Sequence, residues 1–229
     1  MIQHLAAEMD GNRRWAKKHG LTFVEGYQEG FAAIKRTIEF CLSHSISYLS
    51  LYTFSLENFK RPLIEQEFLF GAIICYGQEH LAAFIEKGVR IRFVGDRERF
   101  PARVRAVCER LEKETAEMTA LQVQFLFCYG ARQEILSVVQ QIAYKVQQGQ
   151  LLPEQITKDD LEQHLWTAGI PDPDIIIRTG GVQRLSNFLL YQAAYTEFYF
   201  FECFWPEITE THLQKAVDAA LKVERNFGG

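Results

Sequence analysis

An α/β fold, one domain built on a mostly parallel six-stranded sheet flanked by helices, is what the sequence predicts, and three observations predict it. Segments of strand-like and helix-like periodicity alternate from end to end of the 229 residues. The run DIIIRT at 174–179 is continuously apolar before its arginine, as a strand buried on both faces of a parallel sheet is. The length suits a single domain spanning 1–229, with no internal repeat, low-complexity tract or linker.

The elements follow in order. IQHLAAEM, residues 2–9, is the first strand and runs into the polar turn DGN. Residues 29–42 place Phe31, Ile34, Ile38 and Cys41 at helical spacing. ISYLSLYTF (46–54) is β-rich and ends at the polar SLENFKRP. Residues 65–87 read as a long helix closed by Gly88. VRIRFVG (89–95) alternates apolar and basic residues, as a strand with one wet face does. A helix over 101–117 leads to LQVQFLFCY (121–129), which alternates with period two, and a helix over 131–147 comes next. Thr157 and Asp160 stand in capping-box spacing at the start of a helix over 157–167, with Gly169 beyond it. After the strand at 174–179 come a last strand near 197–202 and a helix over 209–225. This β-then-α order puts helices on both faces of the sheet and ligands beyond the carboxyl ends of its strands.

Composition narrows the function classes. Net charge is −4, and the sequence pI of about 5.9 offers no basic face for nucleic acid. The five cysteines are far apart with no CxxC pair, which points to a reduced cytosolic compartment without structural disulfides or zinc. No uninterrupted apolar run approaches the ~18 residues of a bilayer span, and FLFGAIICYG at 68–77 is too short. The start MIQHLAAEMDGN has neither a basic region nor a cleavage site, so a cytoplasmic protein is expected.

Chemistry gathers in the loops that follow strands. They are Asp10-Gly11-Asn12-Arg13-Arg14, then Ser55-Leu56-Glu57-Asn58-Phe59-Lys60-Arg61-Pro62, then Arg178-Thr179-Gly180-Gly181 with Arg184-Leu185-Ser186-Asn187. In a parallel sheet all three meet at one edge. Their arginine forks match phosphate oxygens, their glycines let backbone N–H groups approach, and Asp10 can hold Mg2+ beside a diphosphate. Each piece alone is ordinary: DGN is a common turn, and Glu197 reads equally as a solvated residue beside Tyr195 and Phe198. Competing sites lack their signatures, with no GxxxxGK[ST], GxGxxG after the first strand, GxSxG or HExxH. His4 reads as a core group.

Three stretches, HLAAEMDGNRRWAKKHG, SLYTFSLENFKRP and TAGIPDPDIIIRTGGVQRLSNFLLYQAAYTEFYF, with WPEIT and ERNFGG, resemble the cis-prenyltransferases of the undecaprenyl diphosphate synthase group. The resemblance covers essentially the whole chain and implies a Mg2+-dependent transferase that adds isopentenyl diphosphate to an allylic diphosphate such as farnesyl diphosphate. It implies a long polyprenyl diphosphate product, the lipid-carrier precursor of cell-wall synthesis, with a shorter-chain synthase, a non-catalytic partner subunit or another phosphate enzyme as alternatives. It gives Mg2+ to Asp10 and Glu197, the allylic diphosphate to Gly11, Asn12 and Arg14 with Trp15 beside them, and isopentenyl diphosphate to Arg61, Arg178, Arg184 and Ser186, next to Leu185. It gives the proton step to Asn58, beside Ser55, Leu56 and Glu57. A neutral amide is a poor base, so Asn58 reads here as positioning a proton path toward departing pyrophosphate. The resemblance also implies a homodimer whose C-terminal residues reach the partner's site, and product release brings transient contact with a membrane surface. An apolar tunnel for the tail follows, since each buried CH2 is worth about 0.8 kcal/mol; its expected walls are the helix at 65–87 and the strands at 46–54 and 121–129.

Five positions depart from the family pattern: Arg13 for glycine, Phe23 for arginine, Tyr27 for histidine, Phe59 for tryptophan and Val182 for an acid. Phe23 and Tyr27 are expected to weaken the hold on the allylic diphosphate. Arg13 either returns a cation to the cradle or points to solvent.

Overall fold

A computed structural model describes residues 1–223; the motif ERNFGG and the expected reach of C-terminal residues into a partner lie outside the described residues. Six strands, β1 (His4–Glu8), β2 (Tyr48–Ser55), β3 (Val89–Val94), β4 (Leu121–Tyr129), β5 (Ile175–Arg178) and β6 (Glu197–Phe200), form one sheet in the order β3-β4-β2-β1-β5-β6. Every pairing is parallel, so all carboxyl ends share one edge. The helices are α1 (Asn12–Lys18), α2 (Phe23–Ser43), α3 (Leu63–Glu86), α4 (Ala102–Glu114), α5 (Ala131–Gln147), α6 (Lys158–His164) and α7 (Glu210–Ala220).

Side-chain alternation divides the sheet into two faces. Leu5, Ala7, Leu49, Leu51, Ile175 and Ile177 face a large core closed by α2, α3, α4 and α7. Ala6, Leu126 and Ile176 face a smaller one closed by Phe188, Leu189 and the start of α5. Glu8 shares the parity of Ala6 and pairs in register with Arg178. Two bulges shape the mouth. Thr53 is the extra residue of β2, its hydroxyl donating to Leu126 O at 2.9 Å, and Cys128 with φ 50° is the extra residue of β4. Such bulges bend the ends of strands next to sites.

The structure corrects three sequence expectations. The stretch after Gly11, read as loop, is the short helix α1. The helix read over 29–42 begins at Phe23, where Thr22 and Glu25 make a capping box. Its Gly26 is a contact residue rather than a breaker: a Cβ there would lie 2.5 Å from Asn12 O. Thirdly, α3 is long and apolar enough to cross a membrane by length and composition, which the 68–77 segment alone did not suggest. Its residues Leu69, Phe70, Leu81 and Phe84 are buried in the large core.

Candidate active site

A cavity of about 1350 Å3 opens at the carboxyl edge and runs inward over the larger core's face. Phe31 and Ile34 of α2, Ile73 and Tyr76 of α3, and Phe93 and Phe125 of the sheet line its depth. Of the expected tunnel walls, α3, β2 and β4 all contribute. Its mouth is charged. One opening therefore joins a polar end to a greasy interior.

Arg178 organises the mouth. The end of β5 puts it opposite Glu8, only 3% exposed. Its Nη1 donates to Arg184 O at 2.6 Å and Ser186 Oγ at 2.7 Å and sits 2.6 Å from Glu8 Oε1. Its Nη2 donates to Asp10 Oδ2 at 2.9 Å. Its Nε is buried without a hydrogen-bond partner among the described residues. Asp10 also holds Arg14 at 3.0 Å, and Arg14 donates to Gly180 O at 2.9 Å. Burial pushes the Glu8 carboxyl up to about 7, while the Arg178 guanidinium and the Ser186 hydroxyl pull it back.

The glycines act differently from expectation. The N–H groups of Gly180 and Gly181 already donate to Cys203 O at 2.7 Å and Phe201 O at 2.9 Å, so they do not cradle phosphate. What requires glycine is close approach: at Gly180, with φ 88°, a Cβ would lie 2.4 Å from Arg14 Nη2. At Gly11, with φ 112°, it would lie 2.6 Å from Phe204.

A second polar cluster sits where α2 meets α3. Glu65, 4% exposed, lies 2.9 Å from Arg61 and 3.3 Å from Arg13. Tyr27 donates its hydroxyl to Glu65 at 3.1 Å and accepts from Arg61 at 2.8 Å. Arg13 lines the cavity, its side chain 59% exposed and its guanidinium turned toward this buried acid. Phe23 and Tyr27 both line the cavity, with Phe23 edge-on to Phe68 at 5.6 Å.

Asn58, Ser55 and Glu57 line the mouth. Asn58 Oδ1 accepts from Ser55 N–H at 3.2 Å, which leaves the amide's NH2 as the group on offer. A donor of this kind cannot take up a proton. Ser186, Leu185, Arg184, Asn12 and Gly11 line the same opening.

Four expected residues lie elsewhere. Trp15 packs tilted against His19 with ring centroids 4.4 Å apart, and Leu56 and Phe59 pack against the large core, Phe59 edge-on to Phe54 at 5.1 Å. Glu197 is the largest correction. It opens β6 at the level of Ile175, and Ile175 is level with Leu5, whereas Asp10 lies beyond the far end of β1. Three residues of rise, about 10 Å, and two strand spacings, about 10 Å, keep the two carboxylates of one chain from bridging an ion. A residue that begins a parallel strand and one that follows a strand stand at opposite edges.

Among the described residues no three His, Cys, Asp or Glu side chains gather as a protein-only metal cage. The donor set fits Mg2+ in another way. Asp10 lines the cavity with a carboxylate 30% exposed, and Mg2+ is commonly held by one or two carboxylates together with substrate phosphates.

Sequence reasoning overlooked Glu8, Glu65 and Arg132, and gave no role to Asn187 and Lys17, residues that line the cavity or brace its rim. Signals existed for some. Glu8 is an acid in a strand otherwise buried on both faces, and Arg132 follows β4 at the same edge as the three loops considered. Four lining arginines are matched by acids: Arg14 and Arg178 by Asp10 and Glu8, and Arg13 and Arg61 by Glu65. Lys17, Arg132 and Arg184 make no ion pair with a described residue.

The comparisons agree with this architecture. Residues 9–228 match the family model "Putative undecaprenyl diphosphate synthase". An isoprenyl transferase of Shouchella clausii is 43% identical over 99% of this chain and 88% of its own length. One of Thermotoga maritima is 40% identical over 99% of this chain and 97% of its own. Lavandulyl diphosphate synthase from Lavandula x intermedia, solved with dimethylallyl diphosphate, superposes with a TM-score of 0.96 at 31% identity, covering 100% of this chain and 98% of that one. A probable undecaprenyl diphosphate synthase from Campylobacter jejuni superposes at 0.83 with 33% identity, over 100% and 99%. With a charged mouth over an apolar cavity on an all-parallel sheet, and matches that run the length of the chain, this protein belongs to the isoprenyl transferase (undecaprenyl diphosphate synthase) family of cis-prenyltransferases.

Proposed function

We propose that this chain condenses isopentenyl diphosphate with an allylic diphosphate, farnesyl diphosphate foremost, and repeats the addition to give a long polyprenyl diphosphate for envelope synthesis. The observation that carries the proposal is the continuity of one cavity from charged mouth to apolar depth. Its volume, about 1350 Å3, exceeds the ~300–1,000 Å3 of pockets that enclose drug-sized molecules. A growing hydrocarbon tail suits that shape.

The cations without an ion pair to a described residue mark two anion positions. Lys17 lines the cavity three residues after Arg14 on α1, and Arg184 lines it from the loop that carries Ser186. Two diphosphates, one allylic and one homoallylic, are what the reaction needs. The allylic C–O bond breaks with its electron pair going to pyrophosphate. The isopentenyl double bond attacks the allylic carbon, and a proton leaves the new product. Arginines fixed before reaction stabilise the charge growing on pyrophosphate without having to reorganise. Ser186 and the Asn58 NH2 orient the second diphosphate, and the free oxygens of departing pyrophosphate receive the proton. Asp10 would hold Mg2+, which when bound supplies further neutralisation of the diphosphate charge.

The exposed edge of the sheet supports the homodimer reading. Phe198 and Phe200 of edge strand β6 lie parallel at 6.2 Å with Tyr195 68% exposed beside them, and the open backbone edge of such a strand is a template for pairing with another chain. The test of function is incubation of purified chain with farnesyl diphosphate, labelled isopentenyl diphosphate and Mg2+, with chromatography of the products. Long labelled chains that vanish on chelation are expected. A single-addition product would establish the shorter-chain alternative, and no incorporation would refute the proposal.

A further inference from the structure

We infer that Arg132 is a further diphosphate-binding residue, acting with Arg184 on the same isopentenyl diphosphate, and that Asn187 is the positioning residue that sets it there. The inference rests on the reading that this cavity takes isoprenoid diphosphates.

Arg132 stands in the first turn of α5, on the loop after β4, and lines the cavity with Arg184 and Asn187. No described carboxylate pairs with either arginine, although the other arginines of the mouth are all matched. An unmatched guanidinium at a cavity rim retains its full charge and its paired donors for a ligand. One diphosphate carries more charge than Arg184 alone can balance.

What joins the two is Asn187. Its carbonyl accepts from Ala131 N–H at 2.9 Å and its Oδ1 from Arg132 N–H at 2.8 Å. Its Nδ2 donates to Glu57 Oε1 at 2.9 Å and to Gln133 Oε1 at 3.1 Å. This side chain therefore ties the loop of Arg184 and Ser186 to the start of α5 and to the turn that carries Asn58. It also occupies Glu57, an acid lining the same cavity, with a neutral partner. Ser186, Asn187 and Leu189 are all left-handed, with φ of 46°, 67° and 43°, a conformation costly for residues other than glycine and kept only where surroundings enforce it. Here the strained loop is bound on two sides, and the binding delivers two free cations to one lip.

The test uses Arg132→Met, Arg184→Met, the double variant, Arg132→Lys and Asn187→Gly, which retains access to left-handed backbone. Steady-state rates are measured with each substrate varied against saturating concentrations of the other. Arg132→Met is expected to raise KM for isopentenyl diphosphate about tenfold, the size of one charge-assisted contact, and to leave KM for farnesyl diphosphate within about twofold. Arg132→Lys recovers part of the loss. Asn187→Gly shifts the same KM by about threefold and leaves KM for farnesyl diphosphate within about twofold, and the double variant departs from the product of the single effects. Unchanged KM in Arg132→Met, equal weakening of both substrates, or strict multiplicativity would overturn the inference while wild-type turnover leaves the functional reading intact. An inert wild-type chain that also fails to bind isopentenyl diphosphate in calorimetry would overturn both.

Discussion

His4 and Asp10 lie six positions apart along one strand and its turn, yet they serve opposite ends of the molecule. At the amino end, His4 is 1% exposed with Nδ1 against Pro171 O at 2.7 Å and Nε2 against Ser50 Oγ at 2.8 Å. Asp174 accepts the backbone N–H groups of Gln3 and His4 at 2.6 and 2.9 Å. These groups are spent on one another. At the carboxyl end, polar capacity is left over: among the described residues Arg178 Nε is buried without a hydrogen-bond partner, and Lys17, Arg132 and Arg184, beside a cavity, have no counter-ion. A buried polar group is therefore a poor sign of function by itself. Unspent capacity facing an opening is the better sign.

The sharpest way to break this contrast is to exchange the two ends. Asp10→Ala is expected to lower the incorporation rate by roughly 100- to 1,000-fold, the usual effect of removing a group that stabilises transition-state charge. His4→Gln should leave the rate within about threefold. In unfolding titrations it should cost about 1–3 kcal/mol, because Pro171 O and the Ser50 hydroxyl lose a buried partner.

Acid response is the next largest difference, with opposite signs at the two ends. Burial lowers His4 to about 4, so its contribution to stability is present above its usual 6.5 and is lost as pH falls toward 4. Glu8, raised to about 7, contributes stability below its usual 4.5 that is lost as pH rises through 7. Denaturant titrations from pH 4 to 8 should show His4→Gln flattening the acid-side loss and Glu8→Gln flattening the loss toward neutrality, each by up to roughly 3 kcal/mol. Equal pH profiles for wild type and both variants would contradict the assigned burial.

A smaller effect probes the apolar end of the cavity. Gly77 of α3 lines it, and a Cβ there would lie 2.5 Å from Leu111 Cδ1 of α4, which lines it as well. Gly77→Val should shorten the main product by one or more five-carbon units with the first addition slowed less than about threefold. Adding Leu111→Ala should lengthen it again. Chromatography of dephosphorylated products reads both.

Much of this fold was legible because periodicity is local. The strand at 121–129 and the helix at 131–147 coincide with β4 and α5. Helix α1 was missed because seven polar-rich residues after Gly11 carry no repeating apolar stripe. The start of α2 was missed because Gly26 looks like a breaker, although it permits close contact with Asn12. At the site, motifs located the loops but not their pairing. That Glu65 holds Arg13, or that Arg178 is nearly saturated by Glu8, Asp10 and Ser186, depends on contacts between distant segments. The position of Glu197 was deducible from topology, since it starts its strand, but resemblance drew it toward Asp10.

The most direct measurement compares label incorporation from isopentenyl diphosphate into farnesyl diphosphate, with Mg2+, by wild type, His4→Gln and Asp10→Ala. Chain elongation by the first two and almost none by the third is the expected result. Equal incorporation by Asp10→Ala, or none by a folded wild-type chain, would contradict the assignment of chemistry to the carboxyl edge.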